Sequence, residues 1–570
     1  MPTPESLASA AHQDIQFKLV SGTWPEDISG EVIFSAPQMS GRIPYGIFDF
    51  GAVCGLSLQP GTYGAAADRF SWRARTINSP SKRLHDAAPE LFRSGATGYA
   101  SPFGAPNCAN TAPLPWGDRL FATWDAGRPI ELNPDTLEFV AEVGHIDSWG
   151  GPSMPGTTAL PFVLSSAHPV VDPERDCLWS AKLDMVFEPQ FGLKPSIVRY
   201  DGDGTTVQHW PLEGVAFNGS IHTVSQTRNW VIFSDSGNFR VDVGEMMGGD
   251  RTVTVDDAAP VWLVRKDVLE ATPPGQPVTP VTLQMGPPAG HYYANWDDSD
   301  GITVVWEGMD VMDLAMYLRA DDLDVNGNPI DPAVVGLYNV AMAPETVVEV
   351  RFDPETGLVK DMGRFREDWA FNLQLSGIDW SLEGQTAPTY HHVAYQGSRP
   401  GRISARAARL YEDRIDRNLL REDTPGALAT FRRGNVELAS KWDYPDLGDL
   451  ITSPTFVPRP APAAAGGSRY ASAEPGGHDG WVVQPVFNDD GFRIELFDAA
   501  HVGAGPVATL RGDTGQQVPL LLHSAWMPTP TGLADVERLS FADELDEARR
   551  ASVPHEHRHL LDLVIADMAN

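Results

Sequence analysis

The sequence predicts an all-β protein, and three observations carry that reading. From about residue 17 to residue 526, short apolar or β-branched runs alternate with clusters of Gly, Pro, Asn and Asp, as strands alternate with turns. Stretches with helical periodicity are few. The chain has 570 residues, so its many short strands must close or repeat to hide their edges, and four-stranded propeller blades fit that length better than one small barrel. No tandem repeat of fixed period marks the blades.

Taken in order, residues 1–16 read as a disordered tail. Strand candidates then recur: GEVIFSAP, RLFATWDA, NWVIFSDSG, GITVVWEG, GWVVQPVFNDDG and FRIELFDAA, each long enough for one strand and followed by turn residues. Two segments carry helical spacing, ISARAARLYEDRIDRNLLRED (403–423) and LSFADELDEARRASVPHEHRHLLDLVIADM (539–568). They are expected as insertions or caps on a β body. The Pro/Ala/Gly-rich stretch 458–480 reads as a loop between strands rather than a domain boundary. Composition shifts sharply nowhere, so a single domain is expected over 17–530, with a helical extension over 531–570.

The bulk numbers exclude several function classes. Lys and Arg total 42 against 76 Asp and Glu, a net charge of -34, which repels nucleic-acid phosphates rather than neutralising them. No apolar run approaches the roughly 20 residues that span a bilayer. The N-terminus has neither the basic start nor the apolar stretch of a secretory signal, so a cytoplasmic protein is expected. Three scattered cysteines, Cys54, Cys108 and Cys177, make neither a disulfide framework nor a thiolate zinc site. A metal would need nitrogen or oxygen ligands.

Among the 15 histidines, any single one is more often a surface or core residue than a ligand. Context raises three of them. His168 in LSSAHPVVDPERDCLWS, His222 in FNGSIHTVSQTRNWVIFSD and His291 in AGHYYANWDDSDGITVVWEG each fall at the edge of a strand, where a propeller points a side chain towards its axis.

Over nearly its whole length the chain resembles the carotenoid cleavage oxygenases, which include apocarotenoid- and stilbene-cleaving dioxygenases. SGTWPEDISGEVIFSAP and FDFGAVCGLSLQPG are similar to the family's opening segments. NTAPLPWGDRLFATWDAGRPIELNPDTLE is similar to a later one. TFVPRP, HDGWVVQPVFN, FRIELFDAAHVGAGPVATLR and VPLLLHSAWMP follow in the family's order. The resemblance implies a seven-bladed β-propeller with a small helical cap over the metal-bearing face. It also implies iron(II) on the axis and dioxygen as co-substrate, with ligands His168, His222, His291 and His523. Four neutral imidazoles leave two positions of an octahedral iron(II) open, which suits dioxygen beside an electron-rich alkene.

Metal-bound histidines usually donate their second N–H to an outer acceptor, and the family uses three glutamates for this. Here the matching positions are Asp125, Ser398 and Ser453, a shorter carboxylate and two uncharged hydroxyls. Tyr99 matches a tyrosine that stilbene-cleaving members use on a phenolic substrate, while Trp124 stands where those members have a lysine. Tyr99 reads equally well as a packing residue. The expected reaction is cleavage of a carbon–carbon double bond in an apocarotenoid or another conjugated apolar alkene into two carbonyl products. Other readings remain open: stilbene or phenylpropenoid cleavage, isomerisation or mono-oxygenation on the same fold, or a non-catalytic polyene binder.

Overall fold

The computed structural model describes residues 11–569 apart from 96–97, 188–191, 216–218, 236–239, 241, 243, 245–249, 314–315, 378–388, 460–477 and 514–517. Most of the Pro/Ala/Gly-rich stretch 458–480 lies outside the described residues. The described chain is built from antiparallel sheets with few helices. Four sheets have four strands each, and a fifth adds the short strand Val170–Asp172 to a path of four. These five are propeller-like blades, each wound up and down from consecutive strands.

The remaining large sheet has ten strands and joins the two ends of the chain. Gln13–Gly22 pairs with Ala508–Arg511 on one side and with Arg69–Thr76 on the other. Glu31–Pro37 pairs with Ser524–Met527. The expectation of seven separate blades is therefore corrected to five blades and one continuous curled sheet. The physical reason is the Lys18↔Arg511 ladder, which hydrogen-bonds strands that would otherwise be the free edges of two blades. The two halves of this sheet still pack face to face, burying Phe17, Phe34 and Trp72 against Phe492, Ile494 and Leu510.

Apolar clusters between neighbouring sheets close the ring. Ile33 and Val53 of the ten-stranded sheet meet Leu120 and Ile130, Phe121 meets Leu178 and Val198, and Trp179 and Ile197 meet Val231 and Phe233. Ile232 and Leu263 then meet Val304 and Val350, Val305 and Val347 meet Val393 and Phe431, and Leu428 meets Val482 and Phe497 of the ten-stranded sheet again. Successive faces bury one another, so no blade needs a core of its own.

Two boundaries differ from expectation. The first strand begins at Gln13, inside the segment expected as a tail, because Gln13–Lys18 pairs residue by residue with Arg69–Ala74 and buries Ile15 and Phe17. Only six residues of 403–423 form an α-helix, Ala405–Leu410, opened by a Ser404 cap. In the extension, Phe541–Glu544, Glu547–Ser552 and Arg558–Met568 are separate helices. Pro554 separates the last two, since proline lacks the N–H a continuous helix needs. The extension is fastened to the body by Arg128, whose guanidinium meets Glu544 at 3.0 Å in a buried pair. No helix among the described residues is long and apolar enough to cross a membrane.

Candidate metal centre

His168 and His222 are held by backbone pairing between adjacent blades. The amide of His168 donates to the carbonyl of His222 at 3.0 Å, and the amide of Val224 donates to the carbonyl of His168 at 2.9 Å. The Thr223 hydroxyl donates to the carbonyl of Gly290 at 2.6 Å, which ties His222 to the strand Ala289–Ala294 that carries His291. His523 comes from the far end of the chain. Its carbonyl accepts from the amide of Ser35 at 2.9 Å, so the strand Glu31–Pro37 fixes its position.

The four rings converge. His168 lies 4.7 Å from His222, 5.0 Å from His291 and 4.2 Å from His523, centroid to centroid. His291 lies 5.1 Å from His222 and 5.2 Å from His523. One nitrogen from each of the four falls within 4.8 Å of the others. Burial, followed by the neighbouring imidazoles, pushes the titration of His168, His291 and His523 well below the usual histidine value. These rings stay neutral, with lone pairs free to bind a cation. Nε2 of His168 and of His291 are buried with no hydrogen-bond partner among the described residues. Orphaned, converging, neutral imidazole nitrogens are what a divalent transition metal requires, so the residues fit an iron(II) centre.

The outer positions behave differently from one another. Asp125 faces His222, its two oxygens 2.9 and 3.0 Å from Nδ1. Ser453 accepts from no imidazole; its hydroxyl donates to the carbonyl of Leu522 at 2.7 Å. Thr455 donates to the Ser524 hydroxyl at 2.7 Å, so the two residues flanking His523 are each tied down, one by its backbone carbonyl and one by its side chain. Ser398 is fully buried, and its hydroxyl meets no partner among the described residues.

Sequence reasoning missed Glu307. It stands directly opposite His291 in the hairpin of Ala289–Ala294 with Ile302–Gly308, with Oε2 4.0 Å from Nδ1 of His291. The available signal was the DDSDG turn, from which counting outward pairs the two residues. Behind it lies Glu345, whose carboxyl is pushed well above the usual range by burial and by the charges of Asp310 and Glu307. His391 and His392 lie outside the converging group, their rings beside Phe431 and Phe456.

Tyr99 and Trp124 share one apolar cluster with Phe50, Phe92 and Phe103. Leu560, Leu561 and Val564 of the C-terminal helix belong to the same cluster. Trp124 immediately precedes Asp125 in the chain. The Tyr99 hydroxyl donates to Oδ1 of Asp49 at 3.1 Å, and burial together with Asp49 makes it a weaker acid than an ordinary tyrosine.

The sequence profile of the family described as retinal pigment epithelial membrane protein, RPE65, matches residues 6–528. An apocarotenoid-15,15'-oxygenase of Synechocystis sp. is 23% identical over 441 residues, 74% of this chain and 73% of that protein. Two solved structures show the same fold. The lignostilbene dioxygenase of Pseudomonas brassicacearum has a TM-score of 0.59 at 16% identity, covering 93% of this chain and 100% of that one. A cobalt-substituted Synechocystis apocarotenoid oxygenase has a TM-score of 0.56 at 16% identity, covering 92% and 99%.

Proposed function

The chain belongs to the RPE65 and carotenoid oxygenase family, and from that premise we propose that it is an iron(II)-dependent dioxygenase. The reaction is cleavage of a carbon–carbon double bond in an apocarotenoid or another conjugated apolar alkene, giving two carbonyl products. The observation that carries this reading is the convergence of His168, His222, His291 and His523 within 4.8 Å. A protein that only binds a polyene has no use for four imidazoles facing one point. Bound there, iron(II) supplies the activation of dioxygen. The chain's own residues do the rest: Asp125 orients His222, Ser453 and Thr455 tie down the residues flanking His523, and the aromatic cluster around Trp124 keeps water from an apolar substrate.

Substrate preference follows from Tyr99 and Trp124. Deprotonating a phenolic substrate needs a base or cation beside its hydroxyl. Trp124 supplies neither, and the Tyr99 proton is already given to Asp49. Non-phenolic alkenes are therefore expected to turn over faster than 4-hydroxystilbenes. Initial rates of iron-loaded protein on an apocarotenoid, a 4-hydroxystilbene and its 4-methoxy analogue test this. Rapid cleavage of the hydroxystilbene with none of the methoxy compound would instead establish a phenol-dependent stilbene oxygenase.

A further inference from the structure

The strand Ile302–Gly308 is buried along its whole length, and Glu307 near its end is fully buried as well. A carboxylate in such a place is costly unless nearby groups stabilise it. Cross-strand register puts Glu307 on the same face of the hairpin as His291, because directly paired residues project together. Its Oε2 lies 4.0 Å from Nδ1 of His291, while the other ring nitrogen, Nε2, is buried without a hydrogen bond. At His222 a carboxylate likewise faces Nδ1, that of Asp125 at 2.9 Å.

We propose that Glu307 is the positioning residue of His291, holding its proton on Nδ1 so that the Nε2 lone pair faces the metal site. This rests on the metal-centre reading and deepens it. The separation exceeds a hydrogen bond, and a small rotation of the carboxylate or the ring closes it. The carboxylate facing this histidine comes from the neighbouring strand of its own hairpin. A carboxylate acceptor makes the imidazole a stronger donor to a cation than a neutral acceptor does.

The test uses Co(II) titration of metal-free full-length protein, followed by visible absorption, for the unaltered chain, Glu307→Gln, Ser398→Ala and Asp125→Asn. Glu307→Gln is expected to weaken Co(II) binding ~10–100-fold and to shift the ligand-field spectrum. Ser398→Ala should leave both unchanged. Equal affinity and spectrum for Glu307→Gln, with Asp125→Asn weakened, overturns the role of Glu307 and spares the metal centre. An unaltered chain that binds no Co(II) overturns both. If Glu307→Gln does not fold, a crystal structure of the Co(II)-loaded unaltered protein decides. Nδ1 of His291 within hydrogen-bond distance of Glu307 supports the proposal, and Nδ1 bonded to another acceptor overturns it.

Discussion

At the scale of single residues, Asp125 and Ser453 occupy comparable sequence positions but do different work. Asp125 places both carboxylate oxygens on Nδ1 of His222, so removing its charge acts directly on one of the four converging rings. Asp125→Asn is expected to cost ~10–100-fold in iron affinity or initial rate. Ser453→Ala removes one hydrogen bond to the Leu522 carbonyl, worth about 0.5–1.5 kcal/mol of stability, and should change iron affinity clearly less. Iron retention and rate measured side by side check this; equal, small effects would mean that Asp125 serves only its turn. The four histidines and Asp125 were legible because each sits in a segment with recognisable neighbours. Ser453 was legible as a position but not as a role, since sequence does not tell whether a hydroxyl faces an imidazole or the backbone beside it. Glu307 was missed because its meeting with His291 is set by pairing across the hairpin, and no motif around either residue marks it.

At the scale of elements, the centre depends on blades staying in register with one another. Lys266 joins two of them. Its ammonium donates to Asp172 Oδ2 at 2.8 Å, Gln226 Oε1 at 2.8 Å and the Thr227 carbonyl at 2.7 Å. Asp172 ends the short strand that begins two residues after His168, and Gln226 ends the strand that begins two residues after His222. Both members of the ion pair are fully buried, and burial pushes the Lys266 ammonium down to about 8. Lys266→Ala would leave Asp172 buried without its main cation, costing ~3–5 kcal/mol. Chemical denaturation is expected to show that loss; a change below about 1 kcal/mol would mean that Arg175, which also reaches Asp172 at 3.3 Å, replaces it. The strands were legible from their texture, and the helical periodicity of 539–568 did become helix. The 403–423 segment kept only one short helix because its remaining apolar positions, Tyr411, Ile415 and Leu420, pack as turns into a cluster with Val255 and Phe371.

At the scale of the whole molecule, the all-β class followed from local patterning and the ring from the need to bury every sheet face. The ten-stranded sheet did not, because the pairing of Lys18 with Arg511 joins residues separated by almost the entire chain and no local signal encodes it. That same closure brings His523 to the three histidines from the middle of the sequence. We propose that this ring serves to hold a metal at their meeting point. Metal analysis of protein purified without chelator tests it most directly, alongside the four variants that replace His168, His222, His291 or His523 by Ala. Near-stoichiometric iron in the unaltered chain, sharply reduced in each variant, is the predicted result. A well-folded chain that carries no metal and takes up none when iron(II) is supplied would contradict it.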